Sequence, residues 1–333
     1  MPSSTAPNLT RRSNKLFALK AAKRAKNHLS SSSRWFFDGT MSSVMQKVIL
    51  YYKFVPVEDP TTVMFWQRQL CQRLNLKGRI IVAQQGINGT LGGDVEDLKA
   101  YRKEMNTHPA FKDIEYKWSN GSRDDFPRLS VKVRPELVTL APDETFDVFS
   151  STKGLRPKEW HEYLEKNPDT IVLDARNDYE SDIGYFNTKN VVKPKIGAFK
   201  QIKAELEKLP KDKPILTYCT GDIRCEYLSA YMKHKGFAEV YHLDGGIVKY
   251  GETYQDKGYW DGKCFVFDRR LNVAFSDEAK DIGTCSRCEV RTSNHENCAN
   301  MACNGLVLLC SICKKTKATC SAVCETAYKQ SIA

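Results

Sequence analysis

The sequence predicts an α/β protein in three parts: a small α+β unit, a parallel-sheet unit with helices on both faces, and a cysteine-rich, metal-binding tail. Three observations carry this expectation. Short, continuous apolar runs alternate with helical stretches between residues 158 and 243, as in sheets buried on both faces. Residues 47–135 instead read as strand, helix, strand, short strand, helix, strand, strand. Eight of the twelve cysteines fall between Cys285 and Cys324.

In chain order, residues 1–45 hold eight Lys/Arg against one acid, Asp38. This stretch is expected to be a disordered basic tail or an organellar transit peptide. Residues 46–140 open with the β-branched and aromatic strand 47–54. Thr61 to Leu74 then carries Val63, Trp66, Leu70 and Leu74 at helical spacing. A strand follows at Gly78 to Ala83, then the turn-rich Gly86-Ile-Asn-Gly-Thr90, and Asp94 is placed to cap a second helix through Leu98 and Tyr101. This order suggests a ferredoxin-like domain.

A connector near Ala141 to Glu144 leads to the second unit, expected over residues 150–262. Its strands are Thr170 to Asp174, Pro214 to Tyr218 and Glu239 to Leu243, with helices at 158–166, 200–209 and 226–235 between them. The cysteine-rich region is expected over residues 263–333, and from Thr284 onward cysteine spacing replaces hydrophobic periodicity. No apolar run approaches the roughly 20 residues of a membrane span. The net charge of +11 is concentrated in the first 140 residues, so a polyanion should meet the N-terminal half.

Cys219 stands where a parallel strand ends and a helix begins, in Cys219-Thr-Gly-Asp-Ile-Arg224. Open α/β sheets place ligands at this crevice. Inward backbone N–H groups and a helix N-terminus would stabilise a thiolate there. A Cys-x5-Arg phosphatase loop is excluded, because Arg224 comes one place early and Cys225 takes its position. Thr220, Gly221, Arg224 and Cys225 are the expected loop supports. Cys225 either resolves an oxidised Cys219 as a disulfide or simply packs in the first helical turn. The six-residue loop resembles that of the rhodanese family, as do Asp174-Ala-Arg176 and the Gly-Gly turn in Leu243-Asp-Gly-Gly-Ile247. Asp174 and Arg176 are expected to form a scaffold ion pair, and Glu180 to be a cap or surface residue.

In the tail, Cys285-x2-Cys288, Cys298, Cys303, Cys310-x2-Cys313, Cys320 and Cys324 supply ligands for two structural zinc ions of four thiolates each. The spacing leaves open whether the two sets are sequential or interleaved. His295 is not required, though it could substitute for a thiol. With every coordination position filled, neither zinc is catalytic. Without a secretory segment, so many cysteines point to a reducing compartment, the cytoplasm, or the mitochondrion or another organelle if residues 1–45 are a transit peptide.

The three parts in this order resemble the tRNA uridine 34 hydroxylases, a family of rhodanese-domain proteins. The matching segments are Gly78 to Thr90, His108 to Glu115, Tyr218 to Glu226 and Trp260 to Asp268. The resemblance implies oxygen-dependent hydroxylation of the wobble uridine in the tRNA anticodon loop, with Cys219 as the persulfide-forming active-site cysteine. It makes the 46–140 domain the candidate tRNA-binding part. There Arg79, Arg128, Lys132 and Arg134 are candidate phosphate contacts, interleaved with Trp66, Tyr116 and Trp118. Asp222 departs from the family's usual second Gly. Because an inward carboxylate would oppose the thiolate, it is expected to face solvent. No flavin, haem or nucleotide motif is visible. The competing readings are a sulfurtransferase, which needs only the rhodanese unit, and a non-catalytic RNA-binding module. Oligomeric state is not legible.

Overall fold

A computed structural model of the chain describes residues 45–303, 305–315 and 318–332. The tail or transit peptide expected over residues 1–45 lies outside the described residues apart from Met45. Among the described residues, no helix is long and apolar enough to cross a membrane.

The first part is built from β1 (Gln46–Phe54), α1 (Pro60–Arg73), β2 (Lys77–Ala83), β3 (Gly86–Asp94), α2 (Val95–Thr107), β4 (Tyr116–Asn120) and β5 (Leu129–Val133). Its sheet runs β4-β1-β3-β2-β5, antiparallel except where β5 joins β2. This is the ferredoxin-like arrangement with an added edge strand. Asp59 starts α1 by accepting from the Thr61 and Thr62 amides, with Pro60 fixing the first turn. Asp94 stands at the cap position of α2, but its carboxylate receives Gln46 Nε2 instead of a helix amide.

Strand alternation gives this sheet two different faces. Ile49, Tyr51, Ile80, Val82, Ile87 and Leu91 pack under α1 and α2. Trp66, Tyr116 and Trp118 pack on the same apolar cluster, and of the three only Trp118 also lines the cavity described below. The segment expected as a turn at 86–90 is extended inside the nine-residue β3. Gly86 takes φ +139 at the start of the strand, and a Cβ on Gly89 would lie 2.3 Å from the Tyr51 ring. The glycines here serve a crowded strand, not a loop.

The second part contributes β6 (Gly154–Leu155), α3 (Pro157–Lys166), β7 (Ile171–Asp174), α4 (Asp178–Ser181), β8 (Gly184–Phe186), β9 (Val191–Val192), α5 (Ile202–Leu206), β10 (Ile215–Tyr218), α6 (Ile223–His234), β11 (Val240–Leu243) and α7 (Gly246–Tyr254). A wholly parallel sheet runs β6-β11-β10-β7-β9. Two apolar clusters flank it. One joins Ile202, Leu206, Tyr227 and Leu228 to Leu173 and Ile215; the other joins Trp160, Leu164, Ile247 and Tyr250 to Val172 and Leu216. Helices therefore cover both faces.

Beyond it, β12 (Trp260–Gly262) pairs with β8, β13 (Cys264–Phe265) with β14 (Asn272–Val273), and β15 (His295–Asn297) with β16 (Leu306–Leu308). α8 (Ala322–Ile332) follows. Cysteines themselves form the small core of this region.

Candidate active site and metal centres

The loop from Cys219 to Arg224 joins the end of β10 to the start of α6, at the C-terminal edge of the parallel sheet. Cys219 is 1% exposed yet lines a cavity of about 1070 Å³. Burial pushes its thiol up, but hydrogen bonding to Cys225 and the Arg224 charge outweigh burial, so its pKa lies well below the ordinary thiol value. Burial, together with the neighbouring Cys219, pushes Cys225 the other way. Thr217 Oγ1 donates to the Cys225 sulfur at 3.6 Å. One thiol is poised as a thiolate and its neighbour is held protonated.

Arg224 is not free to grip a ligand. Its two terminal nitrogens meet Glu180 at 2.6 and 2.8 Å, and one of them also reaches Thr220 Oγ1 at 3.4 Å. Glu180 is fully buried, which corrects its expected place at the surface. It does cap, accepting the Asn177 amide at 3.0 Å, but the pull of Arg224 requires it inside. Burial opposes the Glu180 charge, and the Arg224 guanidinium overcomes it and lowers its pKa. Asp174 and Arg176 form a second buried pair at 2.6 Å, extended by Tyr218 Oη donating to Asp174 at 2.7 Å. Arg176 also reaches the Gly184 carbonyl at 2.6 Å, tying β7 to β8.

Asp222 turns inward, contrary to the expectation that it faces solvent. It is 2% exposed and takes φ +82. This left-handed conformation suits glycine and costs another residue about 1 kcal/mol or more. Its carboxylate offsets that cost through three partners: His242 Nδ1 at 2.8 Å, Tyr52 Oη at 2.9 Å and the Gly245 amide at 3.2 Å. Burial opposes both charges of the Asp222–His242 pair, but their mutual attraction wins, lowering Asp222 and raising His242 to about 9. Asp222 does push the Cys219 pKa upward, as an inward carboxylate must, but less strongly than Cys225 and Arg224 pull it down.

The rest of the loop is clamped by backbone. The Ile247 and Val248 amides at the start of α7 donate to the Cys219 and Thr220 carbonyls at 3.0 and 3.1 Å. Gly246, at φ +67, permits this approach, since a Cβ there would lie 2.7 Å from the Cys219 carbonyl oxygen. Gly221 has a different reason. A Cβ on it would lie 2.5 Å from Leu50 Cδ2 on β1 of the first domain.

That contact belongs to a wider junction. Lys117 on β4 donates to the Gly221 carbonyl at 3.1 Å, and Tyr52 on β1 reaches both Asp222 and Glu226. Arg270, past the parallel sheet, reaches Ser119 Oγ at 3.0 Å and the Asn120 carbonyl, while holding Asp268 at 2.6 Å. The cavity therefore lies between the helix-free face of the first sheet and the cysteine loop, with the 266–275 segment closing a side. Lys47, Arg79, Lys117, Arg134 and Arg270 give its wall a positive excess, and Phe267 is an exposed aromatic on it with Arg224 5.6 Å from the ring centre. Arg79 and Arg134 thus join Cys219 at one cavity. Arg128 and Lys132 are exposed and outside its lining. Lys117, Tyr52 and His242, which hold the loop, and Arg270, which ties the C-terminal part to β4, escaped the sequence reading, because each lies far along the chain from its partners and carries no local motif.

The eight tail cysteines gather into two groups, Cys285, Cys288, Cys310 and Cys313, and Cys298, Cys303, Cys320 and Cys324. In each group the sulfurs lie within 4.8 Å of one another, so each can hold a metal ion. The sets are interleaved along the chain. His295 belongs to neither; it is buried against Phe265 and Tyr179, and burial lowers its pKa to about 4.

Three family models cover most of the chain: a UPF0176 acylphosphatase like domain over residues 46–137, a rhodanese-like domain over 156–253 and a rhodanase C-terminal region over 261–325. Proteins named tRNA uridine(34) hydroxylase are similar over nearly their whole length. That of Corynebacterium urealyticum is 46% identical across 84% of this chain and 96% of its own. That of Corynebacterium jeikeium is 47% identical across 80% and 89%. The Pseudarthrobacter chlorophenolicus protein is 46% identical across 83% and 96%.

Proposed function

From the premise that this chain belongs to the tRNA uridine(34) hydroxylase family, we propose that it converts the wobble uridine of tRNA to 5-hydroxyuridine with Cys219 as its nucleophile. The observation that carries the role of Cys219 is convergence. Leu50 and Lys117 from the first domain and Arg270 from the C-terminal part all line the cavity that Cys219 lines, and Tyr52 of the first domain holds the loop at Asp222. A sulfurtransferase needs only the rhodanese unit. Here that unit's loop is completed by another domain, and the cavity is roughly as large as the largest small-molecule sites, with a basic wall. A scaffold for RNA binding would have no use for a thiol held below its ordinary pKa.

The wobble base enters unstacked, because chemistry at a base requires it out of its stack. The basic wall takes the phosphates of the anticodon loop. Addition of the Cys219 thiolate to C6 of the uracil forms a carbon–sulfur bond and moves the C5–C6 electron pair onto C5 and O4. C5 then takes one oxygen atom from molecular oxygen. The other leaves as water, using two protons and two electrons from an external reductant. Loss of the C5 proton expels Cys219 and restores the ring. The buried Asp222–His242 pair and the Glu180–Arg224 pair fix the loop while this happens.

Both four-cysteine groups suit zinc. Thiolates at about 2.3 Å from a tetrahedral ion lie about 3.8 Å apart, and the sulfur pairs Cys288–Cys310, Cys303–Cys320 and Cys320–Cys324 are at 3.6 Å. Four protein ligands would leave no open position, so ions held by these two sets would tie the tail together and take no part in the reaction. The cytoplasm is the compartment in which we expect it to meet tRNA, as for its bacterial relatives. The deciding experiment is nucleoside mass spectrometry of tRNA from a strain lacking the protein, complemented with the wild type or with Cys219→Ser. Only the wild type should restore 5-hydroxyuridine; full restoration by Cys219→Ser would exclude Cys219 as nucleophile.

A further inference from the structure

We infer that Asn88 reads the Watson–Crick edge of the target base and so selects uracil over cytosine, an inference that rests on the reading of this cavity as a uridine hydroxylase site. The Gly86-Ile-Asn-Gly-Thr90 segment forms part of β3, the central strand of the first sheet. Asparagine and glycine are poor strand formers, and a central strand that carries them has given up local preference for something else. Gly89 is explained by the Tyr51 ring. Asn88 has no such structural return. Among the described residues no hydrogen bond engages its side chain, although an amide can make four.

Its placement supplies the reason. Asn88 stands opposite Tyr52 on β1 and opposite Ile81 on β2. Thr90, next along the same face, stands opposite Leu50 and Arg79. Tyr52 and Leu50 both touch the cysteine loop, at Asp222 and Gly221. The free amide of Asn88 therefore lines the Cys219 cavity directly beside the residues that hold the loop, on the sheet wall that the loop faces. The reacting carbons C5 and C6 lie across the ring from N3 and O2. A base with C6 toward Cys219 turns its Watson–Crick edge away from the loop.

Uracil presents acceptor, donor and acceptor along that edge. The amide of Asn88 complements two neighbouring positions, its oxygen accepting from N3–H and its nitrogen donating to a carbonyl. The donor-only guanidinium of Arg79, diagonal to Asn88 on the ladder, favours a carbonyl over the amino group of cytosine. Ile81, Val48 and Leu50 line the same wall, so these hydrogen bonds form in apolar surroundings where an unmatched edge is costly.

The test compares binding of the full-length protein to two anticodon stem-loop RNAs that differ only in U34 or C34. Wild type should prefer U34 by about tenfold to a hundredfold, the range of a good bidentate base contact. Asn88→Ala should bring the ratio toward one. Asn88→Asp, which offers only acceptors, should carry it past one toward C34. Asn88→Ser, which keeps a donor and an acceptor, should retain part of the preference. A merely structural role for Asn88 would weaken both RNAs alike and leave the ratio intact. A wild-type ratio near one, or a ratio that neither Asn88→Ala nor Asn88→Asp changes, overturns the inference. The parent reading falls separately, if wild-type complementation leaves tRNA without 5-hydroxyuridine.

Discussion

Asp222, within the Cys219 loop, accepts a hydrogen bond from His242 Nδ1 at 2.8 Å, and both side chains are buried. The pair has a defined pH window. The raised pKa of His242 contributes stability that is full below the ordinary histidine value of about 6.5 and is lost as pH rises through about 9. The lowered pKa of Asp222 contributes stability that is present above the ordinary carboxylate value and lost as pH falls through the folded one. Thermal melting of the wild type should therefore decline by the equivalent of a few kcal/mol between pH 6.5 and 9.5. In Asp222→Asn that alkaline decline should vanish, while the melting point at pH 6 drops, because His242 is left without its counter-charge. Parallel pH profiles for the two proteins would refute the assignment.

Cys219 should behave as a thiolate near neutrality. Its pKa is pulled down to about 6, so alkylation by iodoacetamide should rise with pH, reach half its maximum near pH 6 and level off above pH 7. Peptide mapping should find Cys225 unmodified over the same range, since burial and Cys219 keep it protonated. An inflection for Cys219 above pH 8 contradicts this.

Tyr52→Phe removes one hydroxyl that serves both Asp222 and Glu226. The expected cost is about 1–3 kcal/mol in urea unfolding, from leaving buried carboxylate lone pairs unpaired, together with reduced wobble hydroxylation in complemented cells. Combined with Asp222→Asn the losses should be less than additive, because both changes break the same contact. Strict additivity would mean that the first domain does not act through the loop.

Elemental analysis should find two zinc ions per chain. Cys310→Ser should release the first and Cys324→Ser the second. Because the two ligand sets alternate along the chain, either substitution should also loosen the other site, visible as faster loss of the remaining zinc to a chelator. A chain that binds no metal at all, with all eight thiols freely titratable, would overturn the pairing.

The parts of this architecture that were legible in the sequence are the ones written locally. Parallel strands 171–174 and 215–218 show as apolar runs, the Cys219 loop as a motif at a strand end, and the metal ligands as paired cysteines. What stayed hidden depends on which distant side chains share a space. Glu180 looks like a surface cap until Arg224 is found 2.6 Å away. Asp222 looks solvent-facing because a carboxylate near a thiolate is unfavourable, and nothing in its neighbourhood announces His242, twenty residues further on. Gly86 to Thr90 looks like a turn because glycine and asparagine usually make turns; only the Tyr51 ring packed beneath the strand explains Gly89 there.

The alternation of the two cysteine sets also imposes a sequence of events on synthesis. The set that begins with Cys285 is complete once Cys313 has left the ribosome, whereas the other must wait for Cys324. Cys298 and Cys303 of the second set leave the ribosome before Cys310 and Cys313 of the first, so an ion met early could be held by a mixed set of four thiols. Correct assembly thus depends on Cys310 and Cys313 displacing Cys298 and Cys303 from any ion captured early. Scarcity of metal during translation should scramble the sites more than the same scarcity afterwards.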